Sequence, residues 1–216
     1  RLLQLCSPAL PVGAYAYSQG LENAVERGWV RDEASAGQWI LGLLDHTLRW
    51  LDLPVFARLY AAWGEDDPTA LRRWNARLYA AREAMELQDE DRHLGAALAR
   101  LLADLGMAEA EPWRSQSRVC FATLFSLAAA RWRIPLREAA TGYAWTWTEN
   151  QVTAATRLIP LGQTASQRLL VAAGPIITTT VDAGLALPDD EIGAAAPGLA
   201  LAGALHETQY SRLFRS

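Results

Sequence analysis

The sequence contains no lysine, because all 20 of its basic residues are arginine. A nucleotide-binding P-loop requires Gly-Lys-Ser/Thr, so the chain has no P-loop of that kind. Schiff-base chemistry, with pyridoxal phosphate or with a carbonyl substrate, also needs a lysine amine. If nucleotide hydrolysis belongs to the biology of this protein, another protein carries it out.

Cysteine and histidine are also scarce. Cys6 and Cys120 are far apart and form no Cys-x-x-Cys pair, which favours a reduced, cytoplasmic location. His46, His93 and His206 are scattered, so the sequence predicts neither a metal-ligand set nor a resident cofactor. We expect His46 to be a core or interface residue and His93 to lie on a solvated face. His206 is the one histidine that we retain as a functional candidate.

Long apolar runs and excess basic charge are absent as well. No run of about 18 uninterrupted apolar residues is present, so no membrane span is expected. The sequence also has no basic start followed by an apolar segment, so no signal peptide is expected. The net charge of −4 lacks the basic footprint that is typical of nucleic-acid-binding proteins. Neither a nucleic acid nor a membrane is therefore expected as a partner.

Helical spacing dominates what the sequence does contain. The 216 residues are enough for one domain with a sizeable core, and half of them are apolar. Nine tryptophans require large buried surfaces or interfaces. Apolar residues recur every three or four positions along most of the chain, and no convincing pair of strands is found. The sequence therefore predicts an all-α fold: a single-domain bundle of about nine or ten helices with short loops.

Local signals predict where several helices begin and end. Asp32 and Asp67-Pro68 are typical of helix starts, whereas Asp52-Leu53-Pro54 is expected to end a helix. Residues 143–148 alternate like a strand, but they have no partner strand and are predicted to be helical. Gly174-Pro175 is expected to kink or divide a helix that begins near residue 165.

The opening stretch, residues 7–22, begins in an extended form because two prolines restrict its backbone. Gly13 can adopt a backbone angle that other residues resist. Ser18 is suited to cap the following helix, and Glu22 falls in the first turn, where the helix dipole favours a negative charge. From these residues alone, the stretch is a rigid lead-in that sets the angle of the first helix.

The tail, residues 206–216, differs in composition from the helices before it. It is polar, with Tyr210, Leu213 and Phe214 set among Arg212 and Arg215. Arginine and tyrosine are enriched at binding hot spots. A short terminal segment of this kind cannot bury itself alone, so we expect it to be frayed or to be ordered by a partner. We therefore divide the chain into an all-helical domain, residues 1–205, and a separate tail, residues 206–216, for which both alternatives remain open.

Two alternative functions follow from the composition. One is a generic helical scaffold for protein interactions. The other is an α-helical enzyme of the isoprenoid-synthase type, which would hold magnesium through a D-D-x-x-D motif. The acidic runs Asp66-Asp67 and Asp89-Glu90-Asp91 do not match that motif. No G-x-S-x-G sequence marks a nucleophilic serine either, so the local evidence for an enzyme is weak.

Three segments resemble the UreF family of urease accessory proteins. The opening stretch matches the pattern S-P-x-L-P-x-G-x-Y-x-Y-S-x-G-L-E, and the tail reads H-E-T-Q-Y-S-R-L-F-R-S. A central block contains Trp145 and Trp147-Thr148-Glu149. The resemblance spans essentially the whole chain, and its two terminal motifs are specific.

The resemblance implies an all-helical, non-catalytic and dimeric protein. UreF proteins bridge a second accessory protein, UreD (also called UreH), and the GTPase UreG. The assembled complex delivers nickel to apo-urease, driven by GTP hydrolysis in UreG, and UreF is thought to regulate that GTPase and to contribute a passage for the metal. In the family the carboxy-terminal segment becomes ordered against UreD, so the resemblance assigns that role to the tail.

The partner-binding candidates lie at the two ends of the chain. We expect Tyr210, Arg212, Leu213 and Phe214 to anchor UreD, and Tyr17 and Glu22 to lie at or beside a partner or dimer surface. No catalytic residue and no metal ligand is predicted. The full set of candidates is Tyr15, Tyr17, Ser18, Glu22, His206, Glu207, Thr208, Gln209, Tyr210, Ser211, Arg212, Leu213, Phe214 and Arg215.

Overall fold

Ten α-helices and no β-strand make up the chain in a computed structural model that describes residues 1–216. A π-helical segment, Leu44–Asp52, joins the third helix to the fourth, and two 3₁₀ turns span Ala14–Ala16 and Ala108–Trp113. The all-α prediction is therefore confirmed. The helices are α1 (Leu2–Leu5), α2 (Leu21–Glu26), α3 (Glu33–Leu43), α4 (Leu53–Gly64), α5 (Pro68–Ala80), α6 (Met85–Asp104), α7 (Phe121–Arg131), α8 (Leu136–Leu158), α9 (Gln163–Leu185) and α10 (Pro197–His206).

Aspartate caps start two of these helices, as predicted. The Asp32 carboxylate accepts the backbone N–H of Ser35 at 2.8 Å, and the Ser35 hydroxyl accepts the backbone N–H of Asp32 in return. Asp67 accepts two backbone N–H groups at the start of α5, where Pro68 occupies the first position. Each cap satisfies N–H groups that have no partner within the helix.

The expected helix end at Pro54 is wrong. Helical backbone continues from α3 through the π-helical segment into α4, and Pro54 is the second residue of α4. Proline lacks an N–H, but in the first turn of a helix this group is normally without a partner. The change of hydrogen-bond register at Leu44–Asp52 places Pro54 in the first turn of α4. The chain therefore passes through this proline without leaving the helical conformation.

The strand-like segment 143–148 lies within α8 and is helical, as predicted. Helix α9 runs unbroken past Pro175, so the expected division into two helices is wrong, and the alternative of a kink stays a prediction. Pro175 has no N–H to donate to the carbonyl of Val171, four residues earlier. Both residues lie on the exposed side of α9. Water can therefore satisfy that carbonyl, and the helix tolerates the proline.

Two groups of buried side chains form the interior. In the larger group, the rings of Phe56, Phe125 and Tyr143 pack together from α4, α7 and α8, with centroids 5.3 to 5.9 Å apart. The smaller group joins α2, α3 and α8 and contains Leu21 and, from the tail, Phe214. The tail therefore contributes to the interior of the domain.

Helix α9 is long and apolar enough to cross a membrane, judged by length and composition alone. This finding differs from the expectation that was based on uninterrupted apolar runs. Its inner face, which includes Ala173, Ile177 and Val181, is buried within the fold. A single helix of this kind is weak evidence for a span, because core helices pass the same test.

Candidate functional site

The tail packs against the opening stretch, and we call this contact between the two chain ends the terminal junction. Gly20 caps α2 with a left-handed φ of 76°, so the cap lies two residues later than the predicted cap, Ser18. A Cβ atom on Gly20 would lie 3.1 Å from the Ala202 Cβ atom of α10. The glycine therefore permits both the turn and the close approach of α10, which leads into the tail.

Glu22 is the central residue of the terminal junction. Its carboxylate accepts the backbone N–H of Leu213 at 2.6 Å and that of Phe214 at 2.8 Å. The side chain is almost fully buried, with the residue 7% exposed. A buried carboxylate that accepts backbone N–H groups makes strong, charge-assisted hydrogen bonds, so Glu22 fixes the backbone of the tail.

His206 lies between two carboxylates and has no exposed surface. Its Nε2 atom is 3.1 Å from Glu22 Oε2, and its Nδ1 atom is 2.5 Å from Glu86 Oε2. Arg212 Nη1 donates to the other Glu86 oxygen at 2.7 Å. Both ring nitrogens lie within hydrogen-bonding distance of a carboxylate, so His206 joins Glu22 of α2 to Glu86 of α6.

The end of the tail is held by Ser18, Gln19 and Glu90. The backbone N–H of Ser18 donates to the Ser216 carbonyl at 3.0 Å, and the Ser18 hydroxyl donates to the same oxygen. The Ser216 hydroxyl donates to Glu90 Oε2 at 2.9 Å, while Gln19 Nε2 donates to Glu90 Oε1 at 2.8 Å. Burial raises the pKa of the Glu90 carboxyl from its ordinary 4.5 to about 7.

Phe214 anchors the tail in the smaller buried group. The residue is 4% exposed, and the Arg157 guanidinium lies over its ring at 4.6 Å. The backbone N–H of Arg215 donates to the Ala16 carbonyl at 2.9 Å. The expectation that the tail needs a partner to become ordered is therefore wrong for its last residues, because the opening stretch of the same chain supplies their contacts.

Tyr17 also lies inside the terminal junction and is 4% exposed, and its expected place at or beside a partner or dimer surface stays a prediction. Its hydroxyl is 2.9 Å from His93 Nδ1, and Arg92 Nη2 is 3.1 Å from His93 Nε2. An arginine nitrogen only donates, so Nε2 is the accepting nitrogen and Nδ1–H donates to Tyr17. Burial raises the pKa of Tyr17 and lowers that of His93, which keeps both groups neutral in this pair.

Three tail residues fix the neighbouring helices. Glu207 Oε1 accepts the backbone N–H of Met85 at the start of α6, at 2.9 Å. Gln209 Oε1 accepts from the Asn23 side chain at 3.0 Å. Thr208 donates to the carbonyl of Leu205 within α10. These contacts lie within the chain and leave other tail residues to face outward.

The outward side of the terminal junction is apolar and basic. Tyr15 is 70% exposed, Leu213 is 53% exposed and Tyr210 is fully exposed. Ser211, Arg212 and Arg215 are exposed among them. The terminal junction thus divides the sequence candidates into an internal set, which holds the two ends together, and an external set, which is free to meet another surface.

A second buried polar cluster lies beside the terminal junction. Arg82 donates to Asp52 at 2.6 Å and to Asp91 at 2.8 Å, and the Tyr143 hydroxyl donates to Asp52 at 3.2 Å. These side chains and Glu90 line a cavity of about 80 Å³. Burial raises the pKa of Tyr143 well above its ordinary value, so the phenol stays protonated. Charged and hydroxyl groups form part of an otherwise mainly apolar lining, and the cavity is large enough for a few water molecules.

Two functional carboxylates, Glu86 and Glu90, are absent from the candidates predicted from the sequence, although a signal was present. They are four residues apart on α6 and therefore share one face. Like charges at this spacing destabilise an isolated helix, so each carboxylate needs a partner, and the tail supplies one to each. His46 is exposed, which excludes the core position expected for it, while the expected interface position stays a prediction. The π-helical register turns the residues after Leu44 away from the faces that an α-helix would give them.

No group of three or more histidine, cysteine, aspartate and glutamate side chains is arranged to hold a metal ion. Cys120 is fully buried, and burial raises the pKa of its thiol well above the ordinary value. The protonated thiol is a weak nucleophile and a weak metal ligand. The contacts at the terminal junction therefore support two roles. They hold the backbone of the tail in place, and they present the outward side of the terminal junction to solvent.

Known proteins match the chain along its whole length. A family model described as UreF matches residues 30–174. Urease accessory protein UreF of Alkalilimnicola ehrlichii is 55% identical over 216 residues, covering 100% of this chain and 95% of that protein. Those of Chromohalobacter salexigens and Hahella chejuensis are 51% and 49% identical, covering 100% of this chain and 93% and 97% of those proteins. The similarity thus includes both chain ends, beyond the helices that the family model matches.

Proposed function

This chain belongs to the UreF family of urease accessory proteins, and from that premise we propose that it is a non-catalytic adaptor for the insertion of nickel into apo-urease. In this role it bridges UreD (also called UreH) and the GTPase UreG, and it regulates the GTP-dependent delivery of nickel. The observation that carries the proposal is the 55% identity to a urease accessory protein over all 216 residues.

The composition supports an adaptor that relies on a partner for catalysis. Without a lysine, the chain cannot form a P-loop, so GTP hydrolysis is assigned to UreG. Nickel is cargo in this proposal, and the protein needs no resident cofactor. The two cysteines are free, which supports a cytoplasmic location.

The outward side of the terminal junction is our proposed contact with UreD. Tyr210 and Leu213 provide exposed apolar surface, and Arg212 and Arg215 provide charged edges. Arginine and tyrosine are enriched at interface hot spots. The internal residues, Glu22 and Phe214, hold the tail in the form that presents this surface. We further propose that the protein acts as a homodimer.

Reconstitution tests the proposed function. Apo-urease is incubated with nickel, GTP, UreD and UreG, with or without this chain, and urease activity is measured. We expect activation to require this chain, and to fail when UreG carries a substitution of its P-loop lysine. Equal activation without the chain would exclude the adaptor role.

Deletion of residues 206–216 tests the UreD contact separately. Pull-down of UreD is measured for the full chain and for the deletion, with circular dichroism to check that the helices remain. We expect loss of UreD capture. Undiminished capture by the deleted chain would place the UreD contact elsewhere.

A further inference from the structure

Helix α5 carries positive charge only, on a protein whose net charge is −4. Arg72, Arg73 and Arg77 point away from the core, whereas Leu71, Trp74 and Leu78 of the same helix are buried. No acidic residue lies between Asp67 and Glu83 in the sequence. This surface is outside the terminal junction, and neither the adaptor role nor the tail accounts for it.

Two of these arginines have no acidic partner. Arg72 and Arg73 are exposed and form no ion pair, whereas Arg58 and Arg131 pair with carboxylates elsewhere. Arg118 is exposed and unpaired as well. Its carbonyl accepts from the Asn75 side chain of α5 at 2.6 Å, so the Arg118 backbone is fixed beside this helix. We call Arg72, Arg73, Arg77 and Arg118 the arginine face.

Trp74 orders two guanidinium groups of the arginine face. The ring is nearly fully buried, and the Cζ atoms of Arg73 and Arg77 lie 4.7 and 5.3 Å from its centroid. Arg77 also donates to the carbonyls of Asp189 and Ile192, which fixes its position. Stacking on an aromatic ring orders a guanidinium without using its N–H groups, so the N–H groups of Arg73 remain available for a carboxylate.

The arrangement carries a cost within the isolated chain. Arg73 and Arg77 are like charges four residues apart on one helix, and such pairs destabilise a helix. A negatively charged ligand would remove this repulsion. Paired carboxylates also match the planar fork of a guanidinium through two parallel hydrogen bonds.

We propose that the arginine face binds an acidic segment of a partner protein, one that carries several aspartate or glutamate side chains. The surroundings favour a short segment over a long polyanion. Asp190 and Glu191 are exposed in the loop whose backbone binds Arg77, and the whole chain is acidic. Extended negative charge, as on a nucleic acid or an anionic membrane, would meet this acidic surface, whereas a short segment covers the arginine face alone.

The test uses the full chain and a fluorescently labelled peptide of alternating glutamate and glycine, with a glutamine-glycine peptide as the neutral probe. Binding is measured by fluorescence anisotropy at several salt concentrations. We expect saturable binding of the glutamate peptide that weakens as salt rises, and none of the neutral peptide. The double variant Arg72→Gln/Arg73→Gln is expected to bind about tenfold more weakly, because it loses two exposed charge pairs with the peptide.

Arg27→Gln/Arg100→Gln is the matched control, because both arginines are exposed, unpaired and outside α5, and the net charge changes equally. Thermal unfolding checks that both variants fold. We expect Arg73→Lys, which keeps the charge but loses the planar fork, to bind more weakly than the parent chain. Three results would each overturn the proposal: absence of saturable binding, an equal loss in the control, or preferential binding of single-stranded RNA or phosphatidylserine vesicles.

Discussion

The Nε2 atom of His206 lies 3.1 Å from the Glu22 carboxylate, so one contact joins residues that are 184 positions apart in the chain. Glu22 also accepts the backbone N–H groups of Leu213 and Phe214. A single buried carboxylate thus holds a histidine side chain and two consecutive peptide groups of the tail.

Replacement of Glu22 by glutamine is expected to release the tail. The amide offers one acceptor oxygen in place of two and turns an N–H group toward a donor, so at least one buried group loses its partner. We expect the free energy of unfolding to fall by about 3 kcal/mol, and amide hydrogen exchange of residues 210–216 to accelerate. Glu26→Gln, on the exposed side of α2, is the control and should change neither measurement.

Phe214 and Leu213 are adjacent but have different roles. Phe214→Ala removes a buried ring and is expected to lower the free energy of unfolding by about 3 kcal/mol. Leu213→Ala removes a half-exposed side chain and should cost less than about 1 kcal/mol. If the outward side of the terminal junction contacts UreD, Leu213→Ala should nevertheless weaken UreD capture in a pull-down. Normal capture by Leu213→Ala would remove this residue from the proposed contact.

Arg82 neutralises two buried carboxylates, so its removal should be costly. Arg82→Met leaves Asp52 and Asp91 without their shared cation in a buried site, and we expect a loss of about 3–5 kcal/mol in urea unfolding. Arg92→Met, which breaks a more exposed pair on α6, serves as the comparison and should stay within about 0.5 kcal/mol of the parent chain. Similar losses in both variants would contradict the assigned role of Arg82.

The raised pKa of the Glu90 carboxyl predicts that the stability of the fold depends on pH. An unfolded chain releases this proton near the ordinary pKa of 4.5, whereas the folded chain keeps it until about pH 7. The folded state binds more protons in this window, so the stability that Glu90 contributes falls as the pH rises from about 4.5 to about 7. The decrease amounts to about 3 kcal/mol.

Glu90→Gln cannot ionise and should remove that decrease. We expect the variant to match the parent chain near pH 4.5 and to unfold at higher urea concentration near pH 8. Urea unfolding across this pH range measures the difference, with the exposed Glu65→Gln as the control. Parallel profiles for the parent chain and Glu90→Gln would show that Glu90 does not hold its proton in the fold.

Local chemistry predicted much of the fold. Asp32 and Asp67 offer cap oxygens within a few residues of the N–H groups that they bind, so the sequence itself shows these helix starts. The π-helical segment and the passage through Pro54 were not predictable in the same way. They depend on the packing of this segment against α9, where a Cβ on Gly184 would lie 2.9 Å from the Arg49 carbonyl.

The terminal motifs indicated the candidate site, but its internal arrangement could not be derived from them. Whether Glu22 faces solvent or binds the tail depends on how the chain brings residues 22 and 206 together, and no local pattern records that distance. Residue type was also a poor guide to exposure in the tail. Phe214 is buried, whereas Tyr210, only four residues earlier, is fully exposed.

The hydrogen bonds between Ser18 and Ser216 have a consequence for biosynthesis. Because a protein is made from its amino terminus, Ser18, Glu22 and Glu90 leave the ribosome with their tail partners still missing. Their buried polar groups are satisfied only after residue 216 has emerged. A chain that lacks residues 206–216 would therefore expose the internal carboxylates and lack the outward surface, so the residues that satisfy the buried groups are also those that form the surface offered to a partner.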